Sequence, residues 1–165
     1  MAPRSRSRST RALDAAWRAA FRAGFPFLKL WWRLTHPTVE GAYVAVWHDR
    51  RVLLLRNSYQ RAYSFPAGRR GRNEPPADAA ARELREEVGI DVPAEQLVHV
   101  DEMTLDSRYI TDHVHLYELR LDEEPVIEID QREVVWAAFE TVDEACRRPL
   151  LPVVERYLAG RNREA

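Results

Sequence analysis

Hydrophobic positions along this chain switch between two periods, and the switches mark its elements. From Arg11, apolar residues recur every three to four positions at Leu13, Trp17, Ala20 and Phe21, with Arg18 and Arg22 on another side. That spacing predicts an amphipathic helix, which Gly24 and Pro26 should end. The aromatic-dense segment FPFLKLWWRL (25–34) fits a second short helix. Its apolar side suits three uses: covering the main core, joining two subunits, or touching a membrane surface. Packing is the favoured reading of the three, because stripes at helical spacing usually serve a core. Residues 1–10 show no apolar period and read as a disordered basic arm.

After Pro37 the period becomes that of a strand. GAYVAVW (41–47) and VLLLR (52–56) flank a turn at His48-Asp49-Arg50 and predict a hairpin. The uninterrupted apolar run of VLLLR predicts a strand covered on both faces. Residues 57–73 contain a short YSF segment and then PAGRRGRN, read as a loop. Ala77–Val88 has the clearest helical pattern, and Gly89 supplies its stop. LVHVDEMTL (97–105), YITDHVHLYELRL (109–121) and VVWAAF (134–139) predict further strands. In the second of these, Ile110, Asp112, Val114 and Leu116 alternate with Thr111, His113, His115 and Tyr117. Thr141 followed by Glu144 predicts a capping box. A helix then follows, interrupted near Pro149 and Pro152 and resuming through VVERYLAG. Strands flanked by helices on this scale predict a layered α/β or α+β domain.

Composition narrows the class. The 165 residues are 45% hydrophobic and 31% charged, an ordinary soluble composition for one domain with its own core. The net charge of -1 conceals an uneven distribution. Residues 1–35 carry eight basic side chains against Asp14 alone, giving +7, so the remainder carries -8. The basic, serine-rich start fits a disordered arm or a transit peptide. No apolar run reaches the length of a membrane span. Cys146 is the only cysteine, so neither an intrachain disulfide nor a cysteine zinc cluster can form. A reducing, cytoplasmic setting is the simplest expectation. The predominance of arginine over the single Lys29 reads as genomic composition bias.

The helix over 77–88 poses an electrostatic problem. It places Glu83, Glu86 and Glu87 in its last turns, where the helix dipole disfavours negative charge. Glu83 shares a face with both Glu86 and Glu87, at spacings of three and four. Such carboxylates repel each other at neutral pH unless a hard cation joins them. Mg2+ takes oxygen ligands and commonly binds beside substrate phosphates. Arg82 stands four residues before Glu86, placed to pair with it and orient it. Ala77, Ala80 or Ala81, Leu84 and Val88 supply the packing side, and Gly68 and Gly71 give the preceding loop freedom to turn over the helix.

The full spacing over 68–90 resembles the Nudix box, G-x5-E-x7-R-E-U-x-E-E-x-G-U, where U is a bulky aliphatic residue. Gly68, Glu74, Arg82, Glu83, Leu84, Glu86, Glu87, Gly89 and Ile90 fill every specified position. The resemblance implies a Nudix-like α/β/α sandwich with a mixed β-sheet over residues 38–160, preceded by a helical, aromatic-rich extension over 11–35. It also implies divalent-metal-dependent hydrolysis of a pyrophosphate link in a nucleoside diphosphate derivative or related organic pyrophosphate. By position, Glu83, Glu86 and Glu87 would hold Mg2+, or Mn2+ in its place. Glu74 would tie the loop to the helix and touch metal through water, and Arg82 would orient a ligand. Glu86 or Glu87 would serve as base; in the family an acid or histidine on a later loop sometimes takes that role. Arg69, Arg70 and Arg72 would meet phosphate oxygens.

The segment Pro66-Ala67-Gly68 has one glycine where the family often has two. Gly71 stands where an acid is common, removing an accessory metal contact. Asn73 stands where glycine is common, and asparagine tolerates left-handed backbone. Pro75 and Pro76 are compatible with the first helical turn, whose N–H groups have no intrahelical partner. Marks of individual subfamilies are absent, so the specific substrate stays open. Phe65 and Tyr109 are the aromatic candidates for stacking a base, with Tyr43, Tyr63 and Trp136 as further ones. His113, His115, Asp112 and Glu133 are weaker candidates for a phosphate contact or a base. The partner expected is a small phosphorylated molecule, with a homodimer also possible. The alternative reading is a protein that binds RNA or an anionic membrane through residues 1–35 and keeps a catalytically weak domain.

Overall fold

A computed structural model of the protein describes residues 16–17, 19–20, 23–24, 27, 31, 34, 37–106, 111–129 and 131–161. Strands β1 (Thr38–His48) and β2 (Arg51–Asn57) form the expected hairpin. Trp47 pairs with Val52 and His48 with Arg51, leaving Asp49 and Arg50 as the turn. Asp49 has φ 53, a left-handed torsion that aspartate tolerates better than most residues. In β2, Leu53 and Leu55 enter one core cluster, while Val52 and Leu54 enter another. The apolar run of that strand is therefore explained by cover on both faces.

A short strand β3 (Ala67–Arg69) follows, then helix α1 (Pro76–Val88), strands β4 (Val98–Asp106), β5 (Thr111–Leu121) and β6 (Val134–Thr141), and helices α2 (Val142–Ala145) and α3 (Pro152–Arg161). The principal strand order is β4-β5-β1-β2-β6, with β3 paired to β1. β1 and β5 run parallel, and the other pairings are antiparallel, so the sheet is mixed. β3 corrects the loop expected over 66–73. Its three residues are too few to show a period, and their backbone groups pair with Gly41, Ala42 and Tyr43 of β1.

One face of the sheet packs on α1 through Ala42, Val44, Val46, Leu53, Leu55, Ala79, Ala80, Leu84 and Val88. The other packs on α3 through Trp47, Phe65, Leu116, Val153, Val154 and Leu158. Ala79 joins the predicted packing positions of α1, while Ala77 and Ala81 flank the core half-buried. Leu84 is fully buried, and truncating such a leucine to alanine typically costs about 2–5 kcal/mol. The Thr141 hydroxyl and Glu144 carboxylate form the expected capping box at α2. A 3-10 turn at Ala94–Gln96 was not foreseen; it follows Pro93, whose extended backbone breaks the chain direction before β4.

Every described position among residues 16–34 is helical, Gly24 included, and the helix end expected at Gly24 and Pro26 falls on Phe25 and Pro26, outside the described residues. Phe27, Trp31 and Leu34 are each helical and exposed. The expected arm over 1–10 lies outside the described residues. Among the described residues, no helix is long and apolar enough to cross a membrane.

Candidate active site and metal centres

The segment from β3 into α1 brings three of the four box acids, Glu74, Glu83 and Glu86, around Arg82. The Arg82 guanidinium donates to Glu74 from Nε (2.9 Å) and Nη2 (3.2 Å), to Glu83 from Nη1 (2.5 Å), and to the Arg69 carbonyl (3.1 Å). Glu86 lies 3.5 Å from the same guanidinium. The i,i+4 contact with Glu86 exists, but Glu74 is the stronger partner, held across the loop. Glu74 also accepts from the Gly71 N–H at 2.6 Å. It therefore closes the loop on itself and ties it to the helix. The hydrogen bond from Arg82, followed by that from Gly71, holds the Glu74 carboxyl below its ordinary range.

Glycine at position 68 is required by space. A Cβ there would lie 2.0 Å from the Glu83 Cδ, so the carboxylate occupies the volume a side chain would need. The expectation that Gly68 and Gly71 supply torsional freedom is corrected, because neither has a positive φ. The left-handed torsion of the loop falls at Asn73, with φ 64, as asparagine permits. At the other end of α1, Gly89 takes φ 75, and the Ile90 N–H returns to the Leu84 carbonyl at 3.3 Å. Pro76 opens the helix at a position where its missing N–H is harmless.

Adjacent Glu86 and Glu87 separate sharply. The Glu86 side chain is 56% exposed. Glu87 is buried and accepts from the Ala67 N–H of β3 at 2.9 Å. Burial raises the Glu83 carboxyl above its ordinary value. Arg82 opposes that rise, and the charges of Glu86 and Glu133 add to it. A half-buried carboxylate pressed by two like charges is a donor set that suits a hard cation.

Glu133 reaches this neighbourhood from the start of β6. Its carboxylate accepts from the Tyr59 hydroxyl at 2.8 Å, and Tyr59 in turn accepts from the Asn57 amide at 3.1 Å. Tyr59 and Asn57 were not singled out from the sequence; no local spacing links 57–59 to 133, and only the β2–β6 pairing does so. Asp112 lies on the opposite face of the sheet from His113 and His115. The Tyr43 hydroxyl approaches one of its oxygens at 3.4 Å, while its Oδ1 is buried without a hydrogen-bond partner. Burial is the main cause raising its carboxyl above the ordinary value.

The other candidates are distributed as follows. Arg69 and Arg72 are exposed, and Arg70 pairs with Glu40 at 2.5 Å. Phe65 is fully buried with its ring against Tyr157, so it presents no face on which a base could stack. Tyr109 lies outside the described residues. Tyr63 and Trp136 stack edge to face, and Arg148 covers both rings at 4.6 and 4.7 Å.

A second group that could hold a divalent cation was missed from the sequence. His99, Glu102 and His115 present ligand atoms within 4.8 Å of one another. The shared strand face of His113 and His115 was legible, but their partners come from β4. His113 meets the Thr104 hydroxyl at 3.0 Å, and His115 faces Glu102.

Comparison with known proteins agrees with this architecture. No curated protein sequence matches the chain significantly. Among solved structures, a MutT NUDIX hydrolase from Burkholderia pseudomallei superposes with TM-score 0.66 at 17% identity, covering 74% of this chain and 96% of its own. A C. elegans Ap4A hydrolase in a binary complex gives TM-score 0.63 at 19% identity, covering 73% and 93%. An E. coli dihydroneopterin triphosphate pyrophosphohydrolase gives 0.61 at 23%, covering 72% and 91%. These likenesses establish the fold. The NUDIX domain profile matches residues 37–159, about three quarters of the chain, and with the box geometry above it places this protein in the Nudix family.

Proposed function

We propose that the protein hydrolyses a pyrophosphate link in a nucleoside diphosphate derivative or related organic pyrophosphate, using Mg2+ or Mn2+ held by Glu83, Glu86 and Glu87. The observation that carries this reading is the seating of Glu83. Its half-buried carboxylate fills the space over Gly68 and is pressed by Glu86 and Glu133, while Glu87 is fixed on the Ala67 N–H. Bound there, the metal would neutralise phosphate oxygens and acidify an attacking water.

The chain's own residues divide the remaining work. Arg82 and Glu74 fix the loop over the helix and keep Glu83 and Glu86 aimed together. Glu86 takes the proton from the attacking water, since its carboxyl is the exposed one, whereas Glu87 is buried with one oxygen held by the Ala67 N–H. The new bond joins water oxygen to phosphorus, the P–O–P bond breaks, and two phosphorylated products leave. Arg69 and Arg72, exposed beside the loop, meet the phosphate oxygens; Arg70 is already neutralised by Glu40.

The test is phosphate release from a panel of nucleotide derivatives, capped RNA and prenyl pyrophosphates, with and without Mg2+. At least one member should be cleaved in a Mg2+-dependent manner, and Glu87→Gln should abolish it. A wild-type protein that cleaves nothing on the panel yet binds RNA tightly would overturn the proposal. The exposure of Phe27, Trp31 and Leu34 gives an interaction role for the N-terminal region its one specific support. Deletion of residues 1–35 tests it: lost vesicle or RNA association with folding unchanged favours an interaction arm, and lost solubility favours packing.

A further inference from the structure

The arrangement of His99, Glu102 and His115 depends on an irregularity in β4. In a regular strand, residues three apart point to opposite faces of the sheet. His99 and Glu102 are three apart, yet they share a face. The register explains this: His99 pairs with Tyr117 and Glu102 with His115, and the pairing slips by one residue between His99 and Asp101. Tyr117 and His115 are two apart in a regular strand and so lie on one side. The bulge at Val100 therefore turns His99 over to join them, and bulges commonly re-aim a side chain in this way. A regular β4 would present one imidazole and one carboxylate here; the bulged one presents two imidazoles and one carboxylate.

The distances suit ligands of a common ion. His115 Nδ1 and Glu102 Oε2 are 4.0 Å apart, too far for a hydrogen bond. Two ligands of a tetrahedral ion with bonds of about 2.0–2.1 Å stand roughly 3.3–3.4 Å apart. The side chains need only small rotations to close that gap. The His99 ring is steadied edge-on by Tyr117, with centroids 5.3 Å apart, and lies 6.4 Å from the His115 ring. His99 and Glu102 are exposed and His115 half-buried, so an ion can enter from solvent. β4 is the edge strand, and nothing on its outer side belongs to the principal sheet path.

The ligand types select the metal. Imidazole favours borderline transition ions such as Zn2+, whereas Mg2+ prefers oxygen donors. None of these three residues belongs to the helix carboxylate group. We propose that His99, Glu102 and His115 form a second, independent site for a borderline divalent transition ion of the Zn2+ class, assembled by the β4 bulge and leaving a fourth position for water.

Calorimetric titration of the full-length protein with Zn2+, in buffer holding millimolar Mg2+ to occupy the oxygen-ligand sites, tests this directly. One equivalent should bind with a micromolar or tighter Kd. His99→Ala and Glu102→Gln should each weaken that event at least tenfold, and Glu86→Gln should leave it in place. Substituting Co2+ should give an absorption spectrum of imidazole coordination that His99→Ala removes. His115→Gln should behave alike; should it fail to fold, the other two variants decide. Absence of Mg2+-resistant Zn2+ binding, or binding equal in wild type and His99→Ala, would overturn the site. Neither result bears on Mg2+-dependent hydrolysis, so its failure is distinct from failure of the proposed reaction.

Discussion

The carboxylates of α1 and the imidazoles of the β4–β5 edge are assembled on different principles. Glu83, Glu86 and Glu87 owe their proximity to helix periodicity, and each is then fixed by a contact within the loop-helix segment: Gly68 beneath Glu83, Arg82 beside Glu83 and Glu86, and Ala67 beneath Glu87. His99, Glu102 and His115 come from two strands and meet only because β4 slips its register. The first group offers oxygen alone and is tightly braced. The second offers nitrogen and oxygen on an open sheet edge. A short motif can specify a centre outright, whereas a cross-strand centre needs the register before it exists.

Replacing Glu86, the proposed base, offers the sharpest way to break that contrast. Glu86→Gln should lower Mg2+-dependent turnover by roughly 10^2- to 10^4-fold, read as kcat on whichever panel substrate is cleaved, with melting temperature little changed. Next in size is Gly68→Ala. The added Cβ would meet Glu83 Cδ at 2.0 Å, so the Glu83 carboxylate must swing out of its seat. Overpacking of this kind costs about 1–3 kcal/mol, visible in thermal melts, and turnover should fall further than stability does because Glu83 is displaced. The same change at Gly160, where a Cβ meets nothing within 4 Å, should be benign and serves as its control.

What could be read in advance follows the same division. Hairpin β1–β2, helix α1 with its proline start and glycine stop, the capping box at Thr141 and the nine box positions all depend on neighbours within a few residues. The left-handed Asn73 was legible for the same reason. The parallel β1–β5 pairing, the short β3, the approach of Glu133 through Tyr59 and the β4 bulge depend on residues far apart in sequence. Val100 is unremarkable in LVHVDEMTL; only its pairing with β5 shows that the strand slips there. The burial of Phe65 was hidden likewise, since an aromatic residue beside a loop reads equally well as a stacking surface or as core, and α3 decides between them.

Smaller effects sharpen the comparison from the other side. His99→Ala should weaken Zn2+ binding at least tenfold while Mg2+-dependent turnover stays within about twofold, since His99 belongs to no element of the loop-helix segment; paired titration and turnover assays check both. Asp112→Asn should act on stability through pH. Burial raises the folded-state pKa of Asp112 above its ordinary 3.8, so the folded state holds this proton more tightly than the unfolded one. The contribution of that group favours folding at pH below the ordinary value and is lost as pH rises through the raised one. Asparagine suffers no such loss. The variant should therefore melt slightly higher at neutral pH, by up to ~3 °C, and the difference should close near pH 3, the lower limit of roughly 3–4 set by ordinary aspartate titration.

The most direct measurement of which centre carries the chemistry is Mg2+-dependent phosphate release by wild type, Glu86→Gln and the double variant His99→Ala/His115→Gln, assayed side by side on a cleaved substrate. The account predicts that the double variant keeps the wild-type rate to within a few-fold and that Glu86→Gln loses it by about 10^2-fold or more. Full activity in Glu86→Gln together with its loss in the double variant would contradict the assignment.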